Sequence, residues 1–191
     1  MQMDTDVPKA DFNRRRSKKL AEIMNLFRYL LVIWLLVLIL IQDVVQKVDV
    51  YGASMEPAYQ EGDVILVDKL HVRTSKIKRY DVIVFHYRYR DDQYYIKRII
   101  GLPGETVQIA DGVVYIDGLP LEDDYGTEPI EKPRRASEPV TLGRDEYFVL
   151  GDNRNDSSDS RDLDIGNISI DQIMGKAGIR IWRVRNKTGR R

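Results

Sequence analysis

The chain has no cysteine, only two histidines and no excess of charge of either sign: its 191 residues carry 30 Lys+Arg against 30 Asp+Glu. Without cysteine there is no disulfide framework, no thiolate metal site and no thiol nucleophile. His71 and His86 alone are too few for an imidazole metal cluster. Zero net charge argues against a nucleic-acid partner held through its phosphates, because such binding needs a surplus of Lys and Arg on one face. An internal repeat and a low-complexity tract are also missing. Nucleophilic chemistry in such a chain falls to Ser, Thr, Lys or a carboxylate, and neither a metal nor another cofactor is expected.

The balanced charge hides an uneven distribution. Lys9, Arg14, Arg15, Arg16, Lys18, Lys19 and Arg28 precede an apolar run of 13 residues, 29–41, YLLVIWLLVLILI. That run makes roughly 20 Å of helix, against a hydrocarbon core of about 30 Å. Extended over residues 26–45, with Arg28 at one rim and Gln42 and Asp43 at the other, it reaches across. A cleaved signal peptide would show small residues after the run, but 42–51 reads QDVVQKVDVY. A soluble core helix would show a polar face, and this run has none. The reading is therefore a single transmembrane helix at 26–45, with a basic segment, 1–25, on the cytoplasmic side by the positive-inside rule. Residues 46–185 then form an extracytoplasmic domain followed by a basic tail, 186–191.

Beyond the anchor the pattern has period two. Residues 64–67, 81–90, 93–102, 106–110, 113–117, 147–150 and 179–184 are rich in β-branched and aromatic side chains. Asp111-Gly112 separates two such runs by the two residues that a type I′ hairpin turn prefers, since both positions need positive φ. Residues 90–92 suggest a second, looser turn, and 119–139, with its prolines and mixed charges, an extended surface excursion. The fold class is mostly β: an antiparallel barrel or sandwich behind one N-terminal transmembrane helix.

Several short motifs fail on context. Ser75 to Lys78 matches S-x-x-K and Lys187-Thr188-Gly189 matches K-T-G, yet the first lies between strands, the second in a terminal tail, and S-D-N is absent. The Asp- and Asn-rich run at 152–162 lacks the glycine and glutamate of a calcium loop. The histidines take ordinary roles beside or within strands rather than a Ser-His-Asp triad.

A serine and a lysine remain. Ser54 lies just past the anchor, behind Gly52 and Ala53, which let another backbone approach. Lys97 sits in an apolar strand, on the face of Tyr95 and Ile99 by alternation. Desolvation there disfavours the ammonium, and a neutral amine can serve as a general base for a hydroxyl nucleophile. From the strand alone two roles stay open, a base or a lysine that snorkels from a sheet edge.

Taken in order, these segments resemble the type I signal peptidases, membrane-anchored Ser-Lys endopeptidases that remove signal peptides from exported proteins. Residues 52–57, GASMEP, resemble the nucleophile box, and 62–67, GDVILV, the strand after it. Residues 80–85, YDVIVF, resemble the next box and 95–105, YIKRIIGLPGE, the lysine box. Residues 151–161, GDNRNDSSDSR, match the last box, G-D-N-R-x-x-S-x-D-S-R, at every fixed position.

The resemblance implies Ser54 as nucleophile and Lys97 as general base. It implies Ser157 as a hydrogen-bond partner that orients the lysine, an Asp159–Arg161 ion pair that buttresses the loop, and Asp152 and Asn153 as residues that shape it. The substrate would add as an extended strand between the segments around Gly52 and Tyr95, with Met55, Tyr95 and Ile96 walling shallow pockets for small side chains. The Ser54 N–H is the implied oxyanion donor. Partners are then signal-peptide-bearing preproteins and the lipid bilayer, with no nucleic acid and no metal. The chain departs from the pattern at Gly52, where some members carry a serine, at Ala58-Tyr59 in place of Thr-Leu, and at Tyr80, where glycine is common. Its stretch from 161 to 166 is also longer. Two other readings compete: a non-catalytic anchored β-domain that assists assembly of exported polypeptides, and a self-cleaving Ser-Lys repressor. The intact Ser54/Lys97 pair speaks against the first. The anchor and the lack of a helix-turn-helix speak against the second.

Overall fold

The computed structural model describes residues 9–74, 77–87, 90–126 and 128–183. The chain divides into two compact units, residues 1–43 and 44–191. The expectations on Ser75-Lys76, on 187–189 and on the tail 186–191 lie outside the described residues.

The first unit is one helix, α1 (Lys9–Val44). Its stretch Lys18–Leu38 spans 21 residues with a mean hydropathy of 1.8, and none of those side chains is buried. A helix whose stretch from 29 to 38 is apolar all round and exposed has lipid as its fitting solvent. The chain is therefore read as membrane-anchored. The helix ends at Val44, where β-branched residues at 44, 45 and 48 favour the strand that follows.

The second unit is almost wholly antiparallel sheet. Its strands are β1 (Val45–Asp49), β2 (Asp63–Asp68), β3 (Val82–Tyr87), β4 (Arg90–Gly101), β5 (Thr106–Ala110), β6 (Val113–Ile116), β7 (Leu119–Pro120), β8 (Val140–Thr141), β9 (Glu146–Leu150), β10 (Ile168–Ser169) and β11 (Ile173–Arg183). A one-and-a-half-turn helix, α2 (Lys69–Thr74), follows β2. Seven strands form one sheet in the order β1-β2-β11-β3-β4-β9-β10, and four form another in the order β7-β6-β5-β8.

Alternation along the strands divides the apolar residues among three cores. On β4 and β9, Ile100, Phe148 and Leu150 point toward β5 and β6, where they meet Val107, Ile109, Val114 and Ile116. Their neighbours Ile99, Tyr147 and Val149 face the other way, onto Ile83, Phe85, Ile168 and Ile173. A third core gathers Ile65 and Val67 of β2 with Val82, Val84, Val50, Met55 and Ala177. β4 thus has packing on both faces, which explains the near-continuous apolar character of 95–102.

Asp111 and Gly112 have φ of 51° and 79°, the doubly positive turn that Asp-Gly predicts, and Asp117-Gly118 repeats it at 51° and 81° to turn β6 into β7. Three sequence expectations need correction. Residues 90–92 are strand, with Arg90 paired to Tyr87. β1 lies where only a chain leaving the membrane was expected. β11 begins at Ile173, six residues ahead of 179, because Gly175 and Gly178 interrupt its pattern. Both glycines sit against β2 backbone, with the Asp68 and Leu66 carbonyl oxygens 2.7 and 3.0 Å from where a Cβ would be.

A glycine in the core supplies a test. A Cβ at Gly101 would lie 2.6 Å from Val107 Cγ2, 2.8 Å from Leu142 Cδ1 and 2.9 Å from Phe148 Cβ. Gly101→Ala is expected to cost about 1–3 kcal/mol by overpacking. Thermal melting in detergent should show Tm lowered by several degrees.

Candidate active site

The segment between β1 and β2 is a closed loop. Val50 N–H donates to Asp63 O at 2.8 Å and Gly62 N–H returns to Val50 O at 3.0 Å. Inside it, Glu56 N–H bonds to Ala53 O and Tyr59 N–H to Met55 O, at 3.0 and 2.9 Å. This coil turns Met55 into the third core, only 1% exposed. Met55 was expected to wall a substrate pocket; it packs beneath the site instead, because the turn that presents Ser54 directs the next side chain inward. Gly52 has φ of 79°, with nothing within 4 Å of a Cβ placed there. Its surroundings are open to an approaching chain.

Lys97 enters from β4. It is 2% exposed. Its Nζ lies 2.7 Å from Ser54 Oγ and donates to Ile96 O at 2.9 Å, with the Tyr95 ring centroid 5.4 Å away. Burial pushes the ammonium down from the usual 10.5 to about 8, although the nearby Asp159 and Asp152 carboxylates pull it upward. When the amine is neutral the hydrogen bond can reverse, so that the serine hydroxyl donates to the nitrogen lone pair. That arrangement is the starting geometry for general-base activation of a hydroxyl.

A third element, the loop 151–161, closes the back of the site. Gly151 passes so close to Ser54 O and Ser157 that no Cβ fits there. Asn153 N–H donates to Ser54 O at 3.1 Å and Asn153 Nδ2 to Ala53 O at 3.3 Å, tying the two loops together. Asp159 takes a two-pronged bond from Arg161, 2.8 and 2.9 Å, and also receives the Gly151 N–H at 3.2 Å. Asp152 takes a second fork, from Arg98 Nε and Nη2, at 2.7 and 2.6 Å. All four charged side chains are buried.

Ser157 differs from expectation. Its Oγ is buried and has no hydrogen-bond partner among the described residues, while Lys97 is taken up by Ile96 O and Ser54 Oγ. The serine stands beside the dyad without orienting it. Arg98 had no role assigned, yet it forms the second carboxylate fork. Strand alternation carried that signal, since the residue after an inward lysine must project from the opposite face.

In front of Ser54 and Lys97 lies a cleft of about 590 Å³. Residues 46–51 form one wall, 94–97 the other, Ile65 and Val84 the floor, and Ser158 one end. Tyr95 and Ile96 are among the lining residues, together with Tyr51, Tyr94 and the β1 residues, which went unforeseen. Neither histidine lines it: His71 Nε2 lies 3.9 Å from Asp81, and His86 packs on Tyr94. Among the described residues no cluster of His, Asp and Glu is arranged to hold a metal ion.

The family model described as signal peptidase, peptidase S26, matches residues 23–182. The chain belongs to the signal peptidase S26 family. It is 39% identical over 143 residues to signal peptidase I of Leptolyngbya laminosa, covering 71% of this chain and 68% of that protein. Signal peptidase I of Bacillus caldolyticus is 36% identical over 144 residues, 70% of this chain and 77% of the other. A crystal structure of a signal peptidase I from Enterococcus faecalis has 33% identity and a TM-score of 0.45, covering 53% of this chain and 97% of that one.

The buried forks set a stability expectation for this S26 member. Asp159→Asn leaves Arg161, 1% exposed, without its counter-charge, and should cost about 3–5 kcal/mol. Lys47→Ala, which removes the half-exposed 3.8 Å pair with Asp49, should cost under about 1 kcal/mol. Urea midpoints of the two variants measure the contrast.

Proposed function

We propose that this chain is a membrane-anchored serine endopeptidase that cleaves N-terminal signal peptides from exported proteins, with Ser54 as nucleophile and Lys97 as general base. The observation that carries the reading is the 2.7 Å contact between a buried lysine amine and a serine hydroxyl at the edge of an extended cleft. Membership of the S26 family supports the substrate class.

The substrate lies extended in the cleft. β1 is an edge strand of its sheet, and β4 pairs with β9 only from Arg98 onward. A peptide laid between β1 and the 94–97 stretch is gripped through its backbone. Side chains aimed at the floor meet Ile65 and Val84, both fully buried, so only small residues fit at the first and third positions before the cut. Gly52, Tyr95 and Ile96 border those positions.

Neutral Lys97 accepts the Ser54 proton as Oγ bonds to the scissile carbonyl carbon. The developing oxyanion faces the Ser54 N–H. Collapse breaks the C–N bond, and Lys97 returns its proton to the leaving amine. Water then attacks the acyl-enzyme with Lys97 again as base, which frees the signal peptide with a new carboxylate. Asp152, Asn153, Asp159 and Arg161 hold the loop behind this centre, and Ser157 lies beside it. An assembly factor would have no use for an amine held on a hydroxyl.

The bilayer holds α1, with the basic N-terminal flank in the cytoplasm and the β-domain outside. Protease added to intact cells should digest the β-domain and leave the first 20 residues protected; the reverse pattern would refute the orientation.

Cleavage of a preprotein with Ala at both small-residue positions tests the chemistry. Ser54→Ala and Lys97→Ala should each lower kcat on the order of 10⁴-fold or more. Lys97→Arg should be as inactive, because a guanidinium does not deprotonate. Since the neutral amine is the active form, kcat/KM should climb with pH, about tenfold per unit, and level off above about 8. A break near 6.5 would point to a histidine instead.

A further inference from the structure

Tyr80 is a bulky residue at φ of 70°, a backbone region that favours glycine. Two backbone bonds fix the segment, and one side-chain bond is specific to tyrosine. Its backbone N–H donates to Ile99 O at 2.8 Å, its carbonyl accepts Arg98 Nη1 at 2.9 Å, and its hydroxyl donates to Glu122 O in the excursion. Its ring packs on Tyr125, with centroids 5.0 Å apart. The Tyr125 ring centroid in turn lies 3.7 Å from Arg98 Cζ, and Arg98 is the fork that holds Asp152. Strain at one residue thus secures a ring on the pair behind the dyad.

The rest of the excursion is fastened to the same loop. Asp123 lies 2.6 Å from Arg154, and a Cβ at Gly126 would meet the Arg154 guanidinium at 2.8 Å. Asn155 accepts the Glu131 N–H at 3.0 Å, Arg134 donates to Ser157 O at 3.2 Å and Arg161 to Lys132 O at 3.3 Å. The excursion is a brace for the loop 151–161 rather than a loose surface crossing.

We propose that Tyr125, pinned by Tyr80, is a positioning residue for the reaction: its ring seals the Arg98–Asp152 pair from water and so keeps that carboxylate committed to arginine rather than to Lys97. This rests on Lys97 being the base. Ser54 from the β1–β2 loop and Tyr95 on its own strand lie against the amine, and the Asp159 and Asp152 carboxylates of the loop 151–161 act on it through space. Asp159 is held by Arg161. Of the two forks, that of Asp152 is the one with an aromatic ring over its arginine among the described residues.

Without the lid Arg98 is held less firmly and compensates the Asp152 charge less completely, so that carboxylate attracts the ammonium more strongly and the ascending limb of kcat/KM should move to higher pH. A rise of one unit lowers the neutral fraction at pH 7 about tenfold, and the loss disappears on the alkaline plateau.

The test measures kcat/KM for preprotein cleavage between pH 6 and 10.5 with the full-length protein in detergent. Tyr125→Ala should show the shifted limb with the plateau retained, and Tyr125→Phe should restore the original profile. Tyr80→Gly, which suits the positive φ and removes the pin, should shift the limb in the same direction by a smaller amount. It decides the matter if Tyr125→Ala does not fold. An unmoved limb, or a loss equal at every pH, overturns the positioning role. Lys97→Ala run alongside separates the two readings: if it retains activity, the dyad itself fails, whatever the tyrosine variants do.

Discussion

The structure turns on keeping one lysine amine dry. Lys97 lies among two carboxylates, Asp152 and Asp159, that would hold an ammonium charged if they were unengaged. Each is instead forked by an arginine, Arg98 and Arg161. With those charges compensated, burial dominates, and the amine falls to about 8. The same burial weakens the fold. Between about 8 and the usual 10.5, the unfolded chain carries a proton on this lysine that the native state has shed, so its contribution to stability rises with pH through that window. At neutral pH the native state carries the penalty, about 3 kcal/mol for the full interval. The three hydrophobic cores offset it.

That requirement accounts for the arrangement of elements around the site. A lysine can be buried midway along a strand only where the face it projects from is covered, and β4 has packing on both. The serine must then come to the lysine from elsewhere, on a loop closed at its base by Val50, Gly62 and Asp63. The loop 151–161 must come close enough to bond Ser54 O, which leaves no room for a side chain at Gly151. Each piece is ordinary: an antiparallel sheet, a closed loop, a glycine-led turn. Their convergence excludes water from the amine while leaving the hydroxyl at the cleft.

Much of this was legible in the chain, and the gaps have physical causes. Period-two patterning located six of the strands within a few residues, because half-buried sheet imposes it, and Asp111-Gly112 marked its hairpin. β1 was missed because its five residues, VQKVD, are mostly polar and show no period-two apolar pattern. β11 was misplaced because its glycines serve close backbone approach, which leaves no periodic trace. At the site, Lys97 stood out as a cation in an apolar strand. Its partner, 43 residues away, could be matched only by resemblance, since alternation says nothing about which loop folds over a strand. Ser157 and Met55 show the limit of that resemblance: both lie at the site, but neither side chain makes the contact expected of it. The reach of Tyr125 was invisible, because it depends on where 119–139 packs.

On the proposed reading, the cleft also explains how one enzyme accepts many sequences. Backbone pairing along β1 and β4 is blind to side chains, so it supplies grip without preference. Discrimination comes from exclusion: Ile65 and Val84 leave a shallow floor, and a large side chain would have to displace a packed core to enter. Exclusion at two positions is a weak filter for polypeptides in solution. Anchoring changes the comparison, because an enzyme held at the bilayer meets chiefly chains that are held there too, at an effective concentration far above that of soluble peptides. A membrane helix and two small pockets together define a substrate that neither defines alone.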